Sequence, residues 1–196
     1  MEKIEEIVDF LFETGILAKT PRSGFYFLGS GNQSVAEHVN RVVFIGYTMA
    51  SIDRSVDQLK VITMCLLHDL AEGRTSDLNY VHQKYTKVDN SEIINDFKKK
   101  LPFGEDIEKT LNEYEMRQTK EALLAKDADT LEWILSLKEE LDTGNAKAES
   151  WIPSAVKRLK TDVAKVLAEK IVKTSSDRWW FSNKDDSWWV NRNKES

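Results

Sequence analysis

Apolar residues recur at helical spacing along most of the chain. Over residues 2–18 they are separated by three and four positions, which predicts one amphipathic helix. Ser34, with Glu37 three residues later, predicts a capping box at the start of a helix over 35–52. The next segment, 56–72, is apolar nearly all round, as expected of a central buried helix. Further helices are predicted over 90–100, 104–124, 125–142 and 153–173.

Glycine and proline separate these segments. Residues 20–33 hold one proline and three glycines and are typical of a long loop. Gly73 is expected to end the helix over 56–72, and a polar connection over 74–89 follows it. Pro102 and Gly144 fall at two later breaks. The chain therefore consists of helices joined by short breaks and two longer connections.

The pattern predicts an all-α fold. No alternating strand pattern of any length precedes residue 178, and 196 residues are enough for one sizeable core. We expect one helical bundle over residues 1–173. The extension over 174–196 differs because it carries four of the six tryptophans, Trp179, Trp180, Trp188 and Trp189. It could form a small hairpin, either a flap closing over the core of the domain or a tail that binds a partner.

Composition narrows the possible partners. The net charge is −5, with 33 acidic against 28 basic side chains, so the chain lacks the basic balance of a nucleic-acid binder. The one cysteine, Cys65, lies in an apolar run and is expected to pack in the core. The acidic N-terminus does not resemble a secretory signal, and no segment is apolar over the length of a membrane helix. We expect a cytoplasmic protein that binds no nucleic acid and no membrane.

Two histidines and an aspartate occupy unusual places. His68 follows six apolar residues and is followed at once by Asp69, while His38 lies on the preceding predicted helix. A carboxylate at the end of an apolar helix is costly unless it is paired or binds a metal. Taken alone, the His-Asp pair is better explained as two side chains at a helix end that are bonded to nearby backbone.

Two more acids change this assessment. Asp127 and Asp129 open a further amphipathic helix, where an aspartate is ordinary capping chemistry. Two histidines and two carboxylates from three helices would nevertheless form a sensible ligand set for one divalent ion. Mixed nitrogen and oxygen ligation suits Mn, Co, Fe, Ni or Zn, and Mg is a further candidate.

The ordered segments SVAEH, LLHDLAEGRTSDL and AKDADTL resemble the HD-domain phosphohydrolases. The resemblance spans about residues 10–170 and is strongest to the short branch that contains bacterial 5′-deoxynucleotidases and related archaeal and eukaryotic proteins. It implies an all-helical HD domain, a homodimer, and hydrolysis of deoxyribonucleoside 5′-monophosphates. A divalent metal ion is the implied cofactor and a nucleotide the implied substrate.

The same resemblance assigns roles to individual residues. It implies Asp129 rather than Asp127 as a ligand, because the acid of the family lies three residues after the lysine that matches Lys126. It implies a catalytic glutamate at Glu72, and Glu113 matches a recurrent acid that could lie behind the site. The implied metal ligands are His38, His68, Asp69 and Asp129, and the implied substrate-binding residues are Arg22, Phe25 and Asp77.

The chemistry of these residue types agrees with the roles that the resemblance implies. Glu72 follows His68 by four positions, so both would lie on one face of the helix if the helix persists. Glu72 could then orient water or carry a proton to the departing 5′-oxygen. Arg22 could clamp two phosphate oxygens. Asp77 is implied to contact the sugar 3′-hydroxyl, and the family often has tryptophan where this chain has Phe25.

Three other functions compete with this one. A triphosphohydrolase acting on a dNTP would use the same metal site, but few basic residues surround the loop over 20–33. A non-catalytic nucleotide-binding module would have little reason to keep Glu72 together with all four ligands. Two-metal phosphodiesterases need further histidines after the HD pair, and this chain offers only His82.

Overall fold

A computed structural model of the chain describes residues 3–182, which fold into twelve α-helices and one 3₁₀ turn. The turn, Gly15–Ala18, follows the first helix. The helices are α1 Ile4–Thr14, α2 Gly24–Leu28, α3 Val35–Ile52, α4 Gln58–Leu67, α5 Glu72–Thr75, α6 Tyr80–Tyr85, α7 Asn90–Lys100, α8 Gly104–Met116, α9 Lys120–Asp142, α10 Ala146–Val156, α11 Asp162–Lys173 and α12 Arg178–Phe181.

The all-α prediction is confirmed for the described part of the chain. Residues 3–182 contain no strand, and only one isolated bridge pairs Pro21 with Ser34. Within the same range, no helix has both the length and the apolar character needed to cross a membrane.

The longest helix, α9, forms the centre of the bundle. It packs against α3, α4, α8, α10 and α11, and buried side chains occur on most of its circumference. Leu124, Leu131, Ile134 and Leu137 contribute to the main core. Because α9 is surrounded by other helices, polar side chains on it are buried as well, which is how acids of this helix come to lie in the interior.

Helices α3 and α4 approach each other closely at a glycine. A Cβ atom added to Gly46 would lie 2.5 Å from the Sγ of Cys65, which is closer than real contacts allow. Cys65 is fully buried there, as the sequence predicts. The close approach brings the C-terminal end of α4, and with it His68, next to α3.

A second, smaller core supports the chain just after α4. It joins Leu70 to Phe97 of α7 and Ile107 and Leu111 of α8, and Phe10 of α1 packs against it. The turn over residues 68–71 therefore packs against α7 and α8 through Leu70.

Several predicted boundaries are confirmed. Ser34 and Glu37 form the capping box at the start of α3, and α3 covers the predicted residues 35–52. Gly144 has φ +105° directly after α9, a conformation that favours glycine. The break at Pro102 separates α7 from α8.

Other boundaries differ from the prediction. The predicted junction at 124/125 lies instead at 117–119, where Arg117 adopts a left-handed φ of 52° and Thr119 caps α9. The predicted helix over 153–173 is two helices, α10 and α11, separated at residues 157–161. The predicted loop over 20–33 and the connection over 74–89 contain the short helices α2 and α6.

The helix predicted over 56–72 is shorter than expected. It ends at Leu67, and Gly73 does not end it but lies inside the separate one-turn helix α5. Between the two, Leu70 donates to the carbonyl of Leu67 and Glu72 to that of Asp69, three residues back in each case. This tighter winding changes the direction in which the acids after His68 project.

The C-terminal extension differs in part from the predicted hairpin or flap. Trp179 and Trp180, in the first predicted arm, lie on the helix α12, with 85% and 51% of their surfaces exposed. The second arm, with Trp188 and Trp189, lies outside the described residues. The domain division after residue 173 stays a prediction.

Candidate metal centre

The four predicted ligands come together at one point. The Nε2 atom of His38 lies 3.3 Å from the Nε2 of His68, 3.4 Å from an oxygen of Asp69 and 3.3 Å from an oxygen of Asp129. The Nε2 of His68 is 3.2 Å from the same oxygen of Asp69. These donors come from α3, from the turn after α4, and from the centre of α9.

The spacing of these atoms fits one divalent ion. Ligand atoms about 2.1 Å from an ion, at right angles around it, are about 3 Å apart. Donor atoms of His38, His68 and Asp69 all lie within 4.8 Å of one another, and an oxygen of Asp129, on α9, lies 3.3 Å from the Nε2 of His38. Two imidazoles and two carboxylates suit a first-row divalent metal.

Both histidines are held with Nε2 facing the cluster. The Nδ1 of His38 lies 2.7 Å from a carboxylate oxygen of Glu132, and the Nδ1 of His68 lies 2.8 Å from the carbonyl oxygen of Cys65. Each acceptor holds a proton on Nδ1, so Nε2 is the nitrogen that would bind a metal at the cluster.

Glu132 is a functional residue that the sequence analysis missed. It is fully buried on α9 and also receives hydrogen bonds from Gln33, Arg41 and Ser136. Burial opposes ionisation, but the hydrogen bond and charge of His38, with the charge of Arg41, lower the pKa of Glu132 to about 2. The available signal was an acid between Leu131 and Trp133 in an otherwise apolar stretch.

The structure separates the two candidate aspartates. Asp127 faces away from the cluster and accepts bonds from the backbone N–H groups of Lys160 and Thr161 and from the Thr161 hydroxyl. Asp129 faces His38 and pairs with the ammonium group of Lys126 at 2.7 Å. Burial opposes ionisation, yet Lys126 and both histidines keep the pKa of Asp129 well below its ordinary value.

Asp69 is held as an anion in a similar way. Its carboxylate lies beside both imidazoles and 3.4 Å from the guanidinium of Arg22. Burial acts in the other direction, but His68 first, then His38 and Arg22, keep its pKa well below the usual value. Two ionised carboxylates are therefore present to attract a cation.

Glu72 lies at the edge of the same cluster. The argument that it shares a helix face with His68 was wrong in its premise, because α4 ends before His68 and Glu72 begins α5. Its Oε2 atom is buried and has no hydrogen-bond partner among the described residues. Burial, and then the charges of Asp69 and Asp77, raise the pKa of Glu72 to about 9.

Arg22 and Asp77 lie on opposite connections that meet over the cluster. The base of the first loop is closed by backbone bonds from Arg22 to Gln33 and from Val35 to Thr20. Asp77 accepts bonds from the backbone and hydroxyl of Ser23, and its other oxygen lies 3.7 Å from Arg22. The two predicted substrate-binding residues thus hold each other in place.

A cavity of about 520 Å³ opens beside these groups. Arg22, Asp69, Glu72, Asp77 and Asp129 line one part of it. The remaining wall includes aromatic side chains of the first loop, of α6, of α9 and of α10, namely Phe27, Tyr80, Trp133 and Trp151.

Two predicted residues lie elsewhere. Phe25 is buried in the main core with its ring edge-on to Trp133 at 5.3 Å; it does not line this cavity, but with Arg22 it lines a second, smaller one, and its role in binding stays a prediction. Glu113 pairs with Lys60 and Thr119 at the junction of α4, α8 and α9. The loop sequence could not distinguish Phe25 from its neighbour Phe27, which does line the cavity.

Comparison with known proteins identifies relatives. A family model described as the HD domain matches residues 14–171. A 5′-deoxynucleotidase of Schizosaccharomyces pombe is 27% identical over 143 residues, which cover 68% of this chain and 71% of the relative. A 5′-deoxynucleotidase of Dictyostelium discoideum is 32% identical over 121 residues, covering 55% and 62%. A solved structure from Pyrococcus horikoshii OT3 superposes with a TM-score of 0.71 at 26% identity, covering 85% of this chain and 98% of that one.

Proposed function

The chain belongs to the HD-domain family, and from that membership and its site we propose that it is a metal-dependent phosphohydrolase removing the 5′-phosphate from deoxyribonucleoside 5′-monophosphates. The observation that carries this proposal is the convergence of three donor atoms on the Nε2 of His38, at the wall of a cavity large enough for a nucleotide.

A divalent ion would be held by His38, His68, Asp69 and Asp129. A divalent cation bound there supplies Lewis acidity, polarising water and the phosphate oxygens. Its identity, among Mn, Co, Fe, Ni, Zn and Mg, is left to measurement. Glu132 keeps the imidazole of His38 oriented, and Lys126 balances the charge of Asp129.

The side chains around the ion are placed for phosphate binding, proton transfer and sugar binding. Arg22 lies 3.4 Å from Asp69 and is placed to bind phosphate oxygens that arrive beside that carboxylate. Glu72 lines the cavity beside Asp69, and its buried Oε2 has no partner among the described residues, so it is placed to carry a proton to the departing 5′-oxygen. Asp77 has one oxygen bonded to Ser23, and its other oxygen, 3.7 Å from Arg22, is placed to accept a hydrogen bond from the sugar 3′-hydroxyl.

The triphosphate alternative has less support. A dNTP would add charge that needs further cations, yet Arg74, one of the candidates near the site, is bound to Glu13 and Asp96 on the outside of the domain. Among the lining residues, Lys126 is already paired with Asp129, and Arg158 donates to the hydroxyl of Tyr80, on the aromatic part of the wall. The cationic groups described at the phosphate end suit one phosphate better than three.

A phosphate-release assay tests the proposal. Wild-type protein with Mn, Co or Mg is offered dAMP, AMP, ddAMP and dATP. We expect fast release from dAMP, with AMP about 10- to 200-fold poorer because an added 2′-hydroxyl lacks room and a partner. Loss of the 3′-hydroxyl leaves Asp77 unpaired, so ddAMP is also poorer. Equal rates for AMP and dAMP would reject the deoxynucleotide preference, and no release from any nucleotide would favour the non-catalytic module.

We also propose a cytoplasmic homodimer. Large apolar side chains are exposed on the adjoining helices α3 and α4, and a second copy would cover them. They are Phe44, Tyr47, Leu59 and Leu66. Sedimentation should give twice the chain mass, and Phe44→Lys with Leu66→Lys should give the monomer, while Tyr85→Lys on α6 should not. A wild-type monomer at micromolar concentration would contradict this assembly.

A further inference from the structure

The cavity beside the metal centre has two chemically different ends. One is lined by the charged groups Arg22, Glu72, Asp77 and Asp129. The other is lined by the indoles of Trp133 and Trp151 and by Phe27 and Tyr80, whose hydroxyl accepts a hydrogen bond from Arg158. A flat ring joined to a phosphate through a short polar spacer has the same distribution of polarity.

Helix α9 sets the distance between the two ends. The residues of α9 that line the cavity recur at intervals of three, one and three positions, and so form a single face: Lys126, Asp129, Thr130 and Trp133. Trp133 follows the metal-ligand candidate Asp129 by four residues, a rise of about 6 Å along the helix. A single sugar unit spans a gap of this order between a phosphate and the ring it carries.

The indole of Trp133 is fixed before any ligand arrives. Phe25 meets it edge-on at 5.3 Å, and Trp151 lies 6.2 Å away with its plane inclined by 48°. Gly24 lies against the same ring, and a Cβ added there would come to 3.3 Å from it. Since the ring is held on several sides, stacking on its open surface costs little ordering entropy.

Building on the proposed function, we propose that Trp133, supported by Trp151, is the platform on which the nucleobase of the substrate stacks. Stacking on Trp133 involves the flat face of the base and not its hydrogen-bonding edges. The platform therefore accepts every base and favours the larger purines. Its contribution is to binding, and the reacting atoms at the charged end are unaffected by it.

The direct test compares dAMP with base-free 2-deoxyribose 5-phosphate. In the wild type we expect KM for the base-free substrate to be about 10- to 100-fold higher, the range that stacking on one aromatic side chain supplies. Trp133→Leu should raise KM for dAMP by a similar factor, with kcat and the base-free reaction little changed. Trp133→Phe should lie between the two. Trp179→Leu, which removes a solvent-exposed indole outside the cavity, serves as the matched control.

Three results would overturn the platform. If the wild type uses the base-free substrate as well as dAMP, the platform is overturned while the phosphohydrolase stands, and this comparison holds even if Trp133→Leu does not fold. If Trp133→Leu folds and keeps the wild-type KM for dAMP, the platform is likewise overturned. If neither substrate releases phosphate with any metal, the proposed function fails and the inference fails with it.

Discussion

Each of the four candidate ligands is held by a different neighbour. Glu132 binds the far nitrogen of His38, and the Cys65 carbonyl binds that of His68. Lys126 pairs with Asp129, as Arg22 does with Asp69. Because each support differs in charge and position, single substitutions separate metal binding from stability.

The two aspartates of α9 give the clearest separation. Asp129→Asn should abolish metal binding and activity, since it removes a charged donor facing His38. Asp127→Asn should keep the metal but lower the free energy of unfolding by about 1–3 kcal/mol, because the backbone N–H groups of Lys160 and Thr161 lose a buried, charged acceptor. Metal content and denaturant unfolding of both variants measure this. Equal loss of metal in the two would mean that both acids bind it.

Glu132→Gln tests the support of His38. The amide still fills the space but loses the charge that holds both His38 and Arg41. We expect metal affinity to fall about 10- to 100-fold, the usual effect of changing a group behind a ligand. Competition with a metallochromic chelator gives the affinity. Unchanged affinity in a folded variant would limit Glu132 to packing.

At this scale the sequence predicted those residues whose order along the chain is distinctive. The histidines and the acids at 69, 72, 77 and 129 could be found because their order along the chain resembles that of the HD-domain phosphohydrolases. Glu132 and Phe25 could not be placed, since an acid or a phenylalanine on a helix is ordinary. Only the packing of α9 shows that the acid is buried behind His38.

At the scale of elements, the end of α4 matters most. The regular helix stops at Leu67, and the tighter turn that follows separates Glu72 from the face that carries His68. Glu72 is then presented by α5, a helix of four residues. So short a helix has little stability of its own and depends on anchors.

Arg74 is such an anchor. Its guanidinium binds Glu13 of α1 at 2.5 and 3.0 Å and Asp96 of α7 at 3.1 Å, and lies 4.5 Å over the ring of Phe97. Arg74→Met should therefore let α5 shift and lower kcat roughly 10- to 100-fold, as small displacements of catalytic groups do. The KM and the metal content of this variant should stay at their wild-type values.

The matched control is Lys98→Met, which breaks the Lys98–Glu108 ion pair between α7 and α8. Arg74→Lys should recover part of kcat, because one charged contact can re-form. A drop in melting temperature without loss of kcat would show that Arg74 only stabilises the fold. Steady-state kinetics on dAMP at saturating metal distinguishes these results.

Helix boundaries show where sequence reasoning stops. The breaks at Gly144 and Pro102 were predictable because these residues change the backbone preference. The break before α9 depends on Arg117 adopting a left-handed φ. An arginine side chain does not favour this conformation, so the sequence does not predict the break. The short helices α2 and α6 follow from loop closure around the cavity rather than from an apolar period.

At the scale of the whole molecule, the bundle is a frame around one mixed cavity. The all-α class followed from the helical period and the scarcity of glycine and proline. The cavity did not, because its walls come from segments far apart in sequence: the loop before α3, the residues after α5, and α9 and α10. Such a surface exists only once the tertiary packing is complete.

The central claim is that one divalent ion, held by His38, His68, Asp69 and Asp129, drives phosphate release from a deoxynucleotide. The most direct measurement is metal content by mass spectrometry together with dAMP hydrolysis, for wild type and His68→Ala, after chelation and re-addition of metal. We predict one ion per chain and restored activity in the wild type, with neither in a folded His68→Ala variant. Full metal occupancy in His68→Ala, or hydrolysis by the chelated wild type, would contradict the account.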